Sequence, residues 1–216
     1  KKDEAIFNVL REYIKDSKKI LFEGNGYSAE WEIEAAKRGL SNNKTTPIAL
    51  KADVAPKTIS LYEELEVMNK VEIEARHEIK LEEYTKRIQI EARVLGDIAL
   101  NHVVPTALNY QNILITNVSG LKEVFEEEFR TIAKDQMDLI RKISVHTSAI
   151  SQNVHDMIEE RKKANVIEHA EDMAIAYCDK VKPYFDIIRY HCDKLELMVD
   201  DEMWPLIKYR EMLFTR

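Results

Sequence analysis

Apolar residues recur along most of this chain at the three- and four-residue steps of a helix. Ile6, Val9, Leu10, Tyr13 and Ile14 put one apolar stripe on a helix running from about residue 3 to residue 22. Gly24-Asn25-Gly26 closes it as a turn. Ser28 follows as the N-cap of a short helix carrying Trp31, and Gly39 is placed to end it in the left-handed conformation. Residues 41–57 are the least regular. Thr46-Pro47 and Ala55-Pro56 mark two helix starts there, because Pro suits the first helical positions.

The longer segments follow. From Leu61 to Val104, His77, Leu81, Tyr84, Ile88, Ala92, Leu95, Ala99 and His102 fall on one face of a helix free of Pro. Pro105 is expected to kink or end it. The pattern resumes from Thr106 to Ser119, and Gly120 is expected to break it. From Leu121 to Lys163 the spacing tightens: Phe125, Phe129, Ile132, Gln136, Leu139, Ile143, His146, Ile150, Asn153 and Met157 alternate steps of four and three. That is a repeat of about 3.5, which keeps one seam against a partner helix. Gln136, His146 and Asn153 interrupt the seam, so each either meets water or pairs across the interface. Ile140, Val154 and Ile158 widen the stripe, which suits a bundle better than an isolated two-stranded rope.

A last helix starts near Ile167, with Tyr177, Val181, Tyr184, Ile188, His191, Leu195 and Met198 on its buried side and a kink at Pro183. Residues 200–216 crowd Met203, Trp204, Pro205, Leu206, Tyr209, Met212, Leu213 and Phe214 together, a tail too apolar to stay in water. Candidate packing and interface residues are therefore Phe125, Phe129, Ile132, Leu139, Ile143, Ile150 and Met157 on the seam, and Met203, Trp204, Leu206 and Tyr209 in the tail. A straight helix over 61–104 would be about 66 Å long at 1.5 Å per residue. A compact chain of this length has a radius of gyration of about 17 Å. The expected fold is thus all-α: an elongated antiparallel bundle of long helices, or part of a larger assembly that covers them. Its divisions would be shorter helices and loops at 1–57, long helices at 58–199 and a docking tail at 200–216, within one helical domain.

Composition supports the helical reading. The 216 residues include only five Gly and five Pro, too few for the turns of a sandwich, barrel or doubly wound sheet. With 45% apolar residues the chain can build a core. It contains no apolar run of membrane-spanning length and no secretory stretch at Lys1-Lys2-Asp3-Glu4. Cys178 and Cys192 then read as reduced thiols of a cytoplasmic protein. A formal charge of -7, with Lys and acids intermixed, disfavours nucleic acid. The absence of an initiator Met points to a piece of something longer.

Candidate chemistry is sparse. Glu74-Ala75-Arg76-His77 is an E-x-x-H, the helical pair that ferritin-like bundles use twice over; it occurs here once. His102, His146, His155, His169 and His191 show no H-x-x-x-H spacing. Cys178 and Cys192 would be about 21 Å apart on one helix, too far for a disulfide. Gly24-Asn25-Gly26 lacks the Lys and the preceding strand of a phosphate loop. Glu126-Glu127-Glu128 and Asp200-Asp201-Glu202 read as solvated faces near helix ends, and Asn117-Val118-Ser119 is a glycosylation pattern without a secretory context. No residue earns a catalytic, cofactor or metal assignment. A free-standing interaction protein and a di-metal carboxylate bundle are the rival classes.

Several words in the chain are specific. They are Phe22-Glu23-Gly24-Asn25-Gly26-Tyr27-Ser28 leading to Glu30-Trp31, then Ala36-Lys37-Arg38-Gly39-Leu40-Ser41-Asn42, and Thr45-Thr46-Pro47 with Ala49-Leu50. Gln89-Ile90-Glu91-Ala92-Arg93, Asn101-His102-Val103-Val104-Pro105-Thr106-Ala107, Met203-Trp204-Pro205-Leu206 and Lys208-Tyr209-Arg210-Glu211 continue in the same order. Together they resemble the C-terminal region of the type III glutamine synthetases over essentially the whole chain, with Ile207 standing where that family has Pro. The resemblance implies a parent enzyme that joins ammonia to glutamate with ATP, through a γ-glutamyl phosphate, using Mg²⁺ or Mn²⁺. It implies catalytic residues on an upstream domain and none here. It also implies partners in that domain and in neighbouring subunits of stacked hexameric rings.

Overall fold

The computed structural model describes residues 2–214, except the side chain of Tyr209; among these residues the chain is helical and no strand forms. Residues 1–49 and 50–216 make two compact units.

In the first unit, α1 (Lys2–Ser17) runs into a 3₁₀ turn at Lys18–Ile20. α2 (Ala29–Lys37) begins where the Ser28 hydroxyl accepts the Trp31 amide. It ends at Gly39, whose φ of 67° is the left-handed conformation expected of it. Arg38 ties these pieces together. Its guanidinium donates to the carbonyls of Lys19 and Leu21, pairs with Glu34 at 2.7 Å, and lies over the Trp31 ring, which itself packs on Phe22. α1 buries none of its residues. A short α3 (Thr46–Leu50) follows, with Pro47 in its first turn.

The second unit holds the core. α4 (Pro56–Glu64) opens on the proline expected to start it. It then stops, which the apolar pattern did not announce. The amide of Glu66 donates to Glu63 and that of Val67 to Tyr62, with Glu66 at φ 52°. This is the hydrogen-bond pattern of a Schellman end, here built on Glu in place of the usual Gly. α5 (Lys70–Ile98) therefore starts afresh, held by a reciprocal capping box between Asn69 and Glu72. The helix expected from Leu61 begins at Lys70 instead.

Pro105 does not end the helix. Ala99–Val103 forms a π turn closed by the Val104 amide on the Ala99 carbonyl, and α6 (Val104–Phe125) continues directly. The wider turn tolerates a residue that has no amide hydrogen to give. It also advances the register by one position. Val103 becomes fully buried and His102, expected on the apolar face, is exposed. The same device recurs at Pro183. α8 (Lys134–Asn165) is followed by α9 (Ala170–Ala176), a π turn at Tyr177–Val181, and α10 (Pro183–Glu196).

Gly120 lies inside α6 in open space and breaks nothing. An exposed helical Gly costs only about 1 kcal/mol against Ala, less than the packing of α6 on α8 offsets. The real break is at Glu126, where φ 39° turns the chain through a one-turn helix, α7 (Phe129–Ile132), into α8. The seam expected to run unbroken from Leu121 to Lys163 is thus divided between two helices and a turn. Gln111 donates to Ile140 and Ser144 while Asn117 donates to Gln136, so α6 and α8 run antiparallel.

The core gathers Ile88, Ala92, Ala99, Val103, Ile143, Ile150, Val154, Met157, Tyr177, Val181, Ile188 and Leu195 from α5, both π turns, α8 and α10. Ion pairs Lys51–Glu171 and Lys80–Asp53 fasten the segment before α4 to this body. The register shift at the π turn yields a test by urea denaturation. Val103→Ala should cost about 2 kcal/mol, from two lost methyl groups plus a cavity. His102→Ala should stay within about 0.5 kcal/mol. Equal effects would show that the shift is absent.

Candidate functional site

The seam residues separate into two groups. Ile143, Ile150 and Met157 are at most 1% exposed and Leu139 packs against them, all inside the second unit. Phe125 and Ile132, by contrast, remain exposed at the turn between α6 and α8, and Phe129 is half-buried under the Arg130 guanidinium. The three polar interruptions resolve individually. Gln136 accepts from Asn117 across the α6–α8 seam, and Asn153 donates back to the Ala149 carbonyl of its own helix.

His146 finds a partner on α10. Its Nδ1 lies 2.8 Å from Nδ1 of His191, with ring centroids 5.1 Å apart. The difference between those distances equals about two ring radii, so the nitrogens meet head-on. One N–H therefore donates to the other lone pair, and no cation fits on the axis between them. Burial, then the neighbouring His191 and Lys194, hold His146 below the usual histidine pKa. Neither His carried a spacing signal. Each occupied a polar position on an apolar stripe, and only the packing of α8 on α10 joins them.

Residue Tyr177 in the second π turn is fully buried, yet its hydroxyl is satisfied. It donates to Asn165 and accepts from Gln89, which also donates to Asn165 at 2.8 Å. Burial raises its pKa. Cys178 is buried and Cys192 half-buried, both free; burial pushes the Cys192 thiol up to about 11, which makes it a poor nucleophile. The E-x-x-H histidine, His77, is buried with Nε2 at 3.9 Å from Glu171, a carboxylate already held by Lys51 at 2.6 Å. Glu74 pairs instead with Lys70 on its own helix. Among the described residues no group of three His, Cys, Asp or Glu converges as a metal site would require.

The tail is anchored at its start. Trp204 is 9% exposed in the core, Met203 packs beside it, and Lys208 reaches the Glu196 carbonyl and Asp201 beneath the Trp204 ring. Arg210 completes the clasp on Asp201 at 2.6 Å. Beyond the tryptophan the apolar side chains turn outward: Leu206, Ile207, Leu213 and Phe214 are exposed, and the Tyr209 side chain lies outside the described residues. No helix of the described residues is long and apolar enough to cross a membrane.

The glutamine synthetase C-terminal domain family matches residues 5–122. A glutamine synthetase of Bacteroides fragilis (strain YCH46) is 49% identical over all of this chain. A type-3 glutamine synthetase of Dictyostelium discoideum is 30% identical over 99% of it, and a glutamine synthetase of Butyrivibrio fibrisolvens 27% over 98%. The chain spans about 30% of the length of these relatives.

The histidine pair gives stability a pH dependence of definite sign. The folded-state pKa of His146 lies below its unfolded value, so on acidification the unfolded chain takes up the proton first. Its contribution is present in full above the unfolded value, near 6.5, and declines as pH falls through the window beneath it. Urea midpoints should drop across that window, and less in His146→Gln. An identical drop in the variant would assign the dependence to other groups.

Proposed function

Because the chain belongs to the glutamine synthetase C-terminal domain family, we propose that it is the structural and assembly segment of a type III glutamine synthetase. In this reading the ligation of ammonia to glutamate, with ATP and Mg²⁺ or Mn²⁺, is carried by the remainder of a longer polypeptide. This segment contributes helices that pack on that remainder and on neighbouring subunits, in stacked hexameric rings.

One observation carries the reading. α1 is an amphipathic helix that buries none of its residues, and on its apolar face Ile6, Val9, Leu10, Tyr13 and Ile14 are all about half exposed or more. Burying such a face is worth roughly 25 cal/mol per Å², and folded proteins rarely leave one open without a partner. The exposed Phe125 and Ile132 at the α6–α8 turn, and Leu206 in the tail, add to it. Among the described residues Tyr177, His146 and Gln111 spend their buried polar atoms on structural hydrogen bonds between helices, whereas His77 Nδ1, Thr85 Oγ1 and Arg161 Nε are buried without a partner.

Substitution on the open face tests this without disturbing the core. In the full-length enzyme, Ile6→Ser with Leu10→Ser and Ile14→Ser should reduce the assembled mass measured by light scattering. Glutamine formation should fall in step. Unchanged mass and activity would contradict an assembly role for α1.

A further inference from the structure

A guanidinium withdrawn from water is costly unless it finds acceptors. Arg161 on α8 is partly withdrawn in this way, and Arg93 on α5, itself exposed, borders the same space. They line one cavity of about 220 Å³ between the two helices. Arg161 is half-buried and its Nε is cut off from solvent with no hydrogen-bond partner. Among the described residues neither guanidinium forms an ion pair. The nearby phenol of Tyr177 is already taken by Gln89 and Asn165.

The remaining walls define what fits. The floor is apolar, formed by Leu100, Met157 and Ile158. Gly96 lets the helices come close: a Cβ there would lie 3.3 Å from a Val154 methyl. One helical turn beyond Arg93 lies Asp97, a second wall residue, whose carboxylate accepts from Asn101. The cavity therefore has two positive groups, an apolar wall and a single negative group, Asp97, one turn along α5 from Arg93 and bonded to Asn101.

We infer that this cleft between α5 and α8 binds a small organic carboxylate with an aliphatic body, held by Arg93 and Arg161, and that Asp97 rejects a second negative charge. Bidentate guanidinium–carboxylate bonds supply the recognition, and the apolar floor supplies the length preference. The inference does not depend on how the whole polypeptide is used, since the cleft lies within one unit of this chain.

Calorimetric titration of the intact protein with hexanoate and with adipate, its dicarboxylate counterpart, tests it. Hexanoate should bind. Arg161→Gln should weaken it roughly tenfold or more, the value of one charge-assisted hydrogen bond or more. Arg93→Gln should do the same, and because Arg93 is exposed this variant keeps the fold. Adipate should bind more weakly than hexanoate, and Asp97→Asn should close that gap. Absence of hexanoate binding, or affinity unchanged in both arginine variants, would overturn the site. A preference for adipate in the unsubstituted protein would overturn the role of Asp97.

Discussion

Two prolines inside helices constrain everything else in the second unit. Proline removes an amide donor and crowds the carbonyl four residues earlier, which normally kinks or ends a helix. Here each is preceded by a five-residue π turn ending two positions before it, Ala99–Val103 before Pro105 and Tyr177–Val181 before Pro183. The wider turn absorbs the crowding and lets the helix run on. It also rotates the downstream residues, and with them the choice of side chain that faces inward. Ala99, Val103, Tyr177 and Val181 are all fully buried, and both π turns pack on α8. The core is thus organised around the two places where regular helix is least comfortable.

Much of this was readable as periodicity. The stripe from His77 to Ala99 and the stripe from Tyr177 to Met198 face the core as their spacing requires. Gly39, Pro47 and Pro56 punctuate the chain where their backbone preferences place them. What periodicity could not carry was a change of backbone made without a marker residue. Glu66 and Glu126 take positive φ although nothing in a glutamate requires it, so two helix breaks were invisible while the exposed Gly120 suggested one that does not exist. Asn69 with Glu72 was a visible start signal, overshadowed by the continuous apolar pattern around it.

Pairings across helices were the other blind spot. His146 and His191 are 45 residues apart, and Gln89 and Tyr177 are 88 apart. Each looked like an isolated polar residue on a stripe. Together they fill polar niches that fix how α8 sits on α10 and how α5 meets the second π turn. Arg93 and Arg161 were likewise anonymous surface positions until their helices were brought side by side. The candidate interface divides along the same line. Residues in the middle of α8 serve the chain's own core, whereas the apolar side chains of α1, of the α6–α8 turn and of the tail beyond Trp204 stay exposed. That division is the physical content of the proposed assembly role.

The order of the core depends most directly on the π turns. Residue-resolved hydrogen exchange of the Val104 and Lys182 amides tests them, since these donate to Ala99 and Tyr177 across the widened turns. Both should exchange as slowly as the amides of the α8 core around Ile150, opening only with the whole unit. Fast, loop-like exchange at either amide would mean that the helix stops at its proline, and the order of the core described above would be wrong.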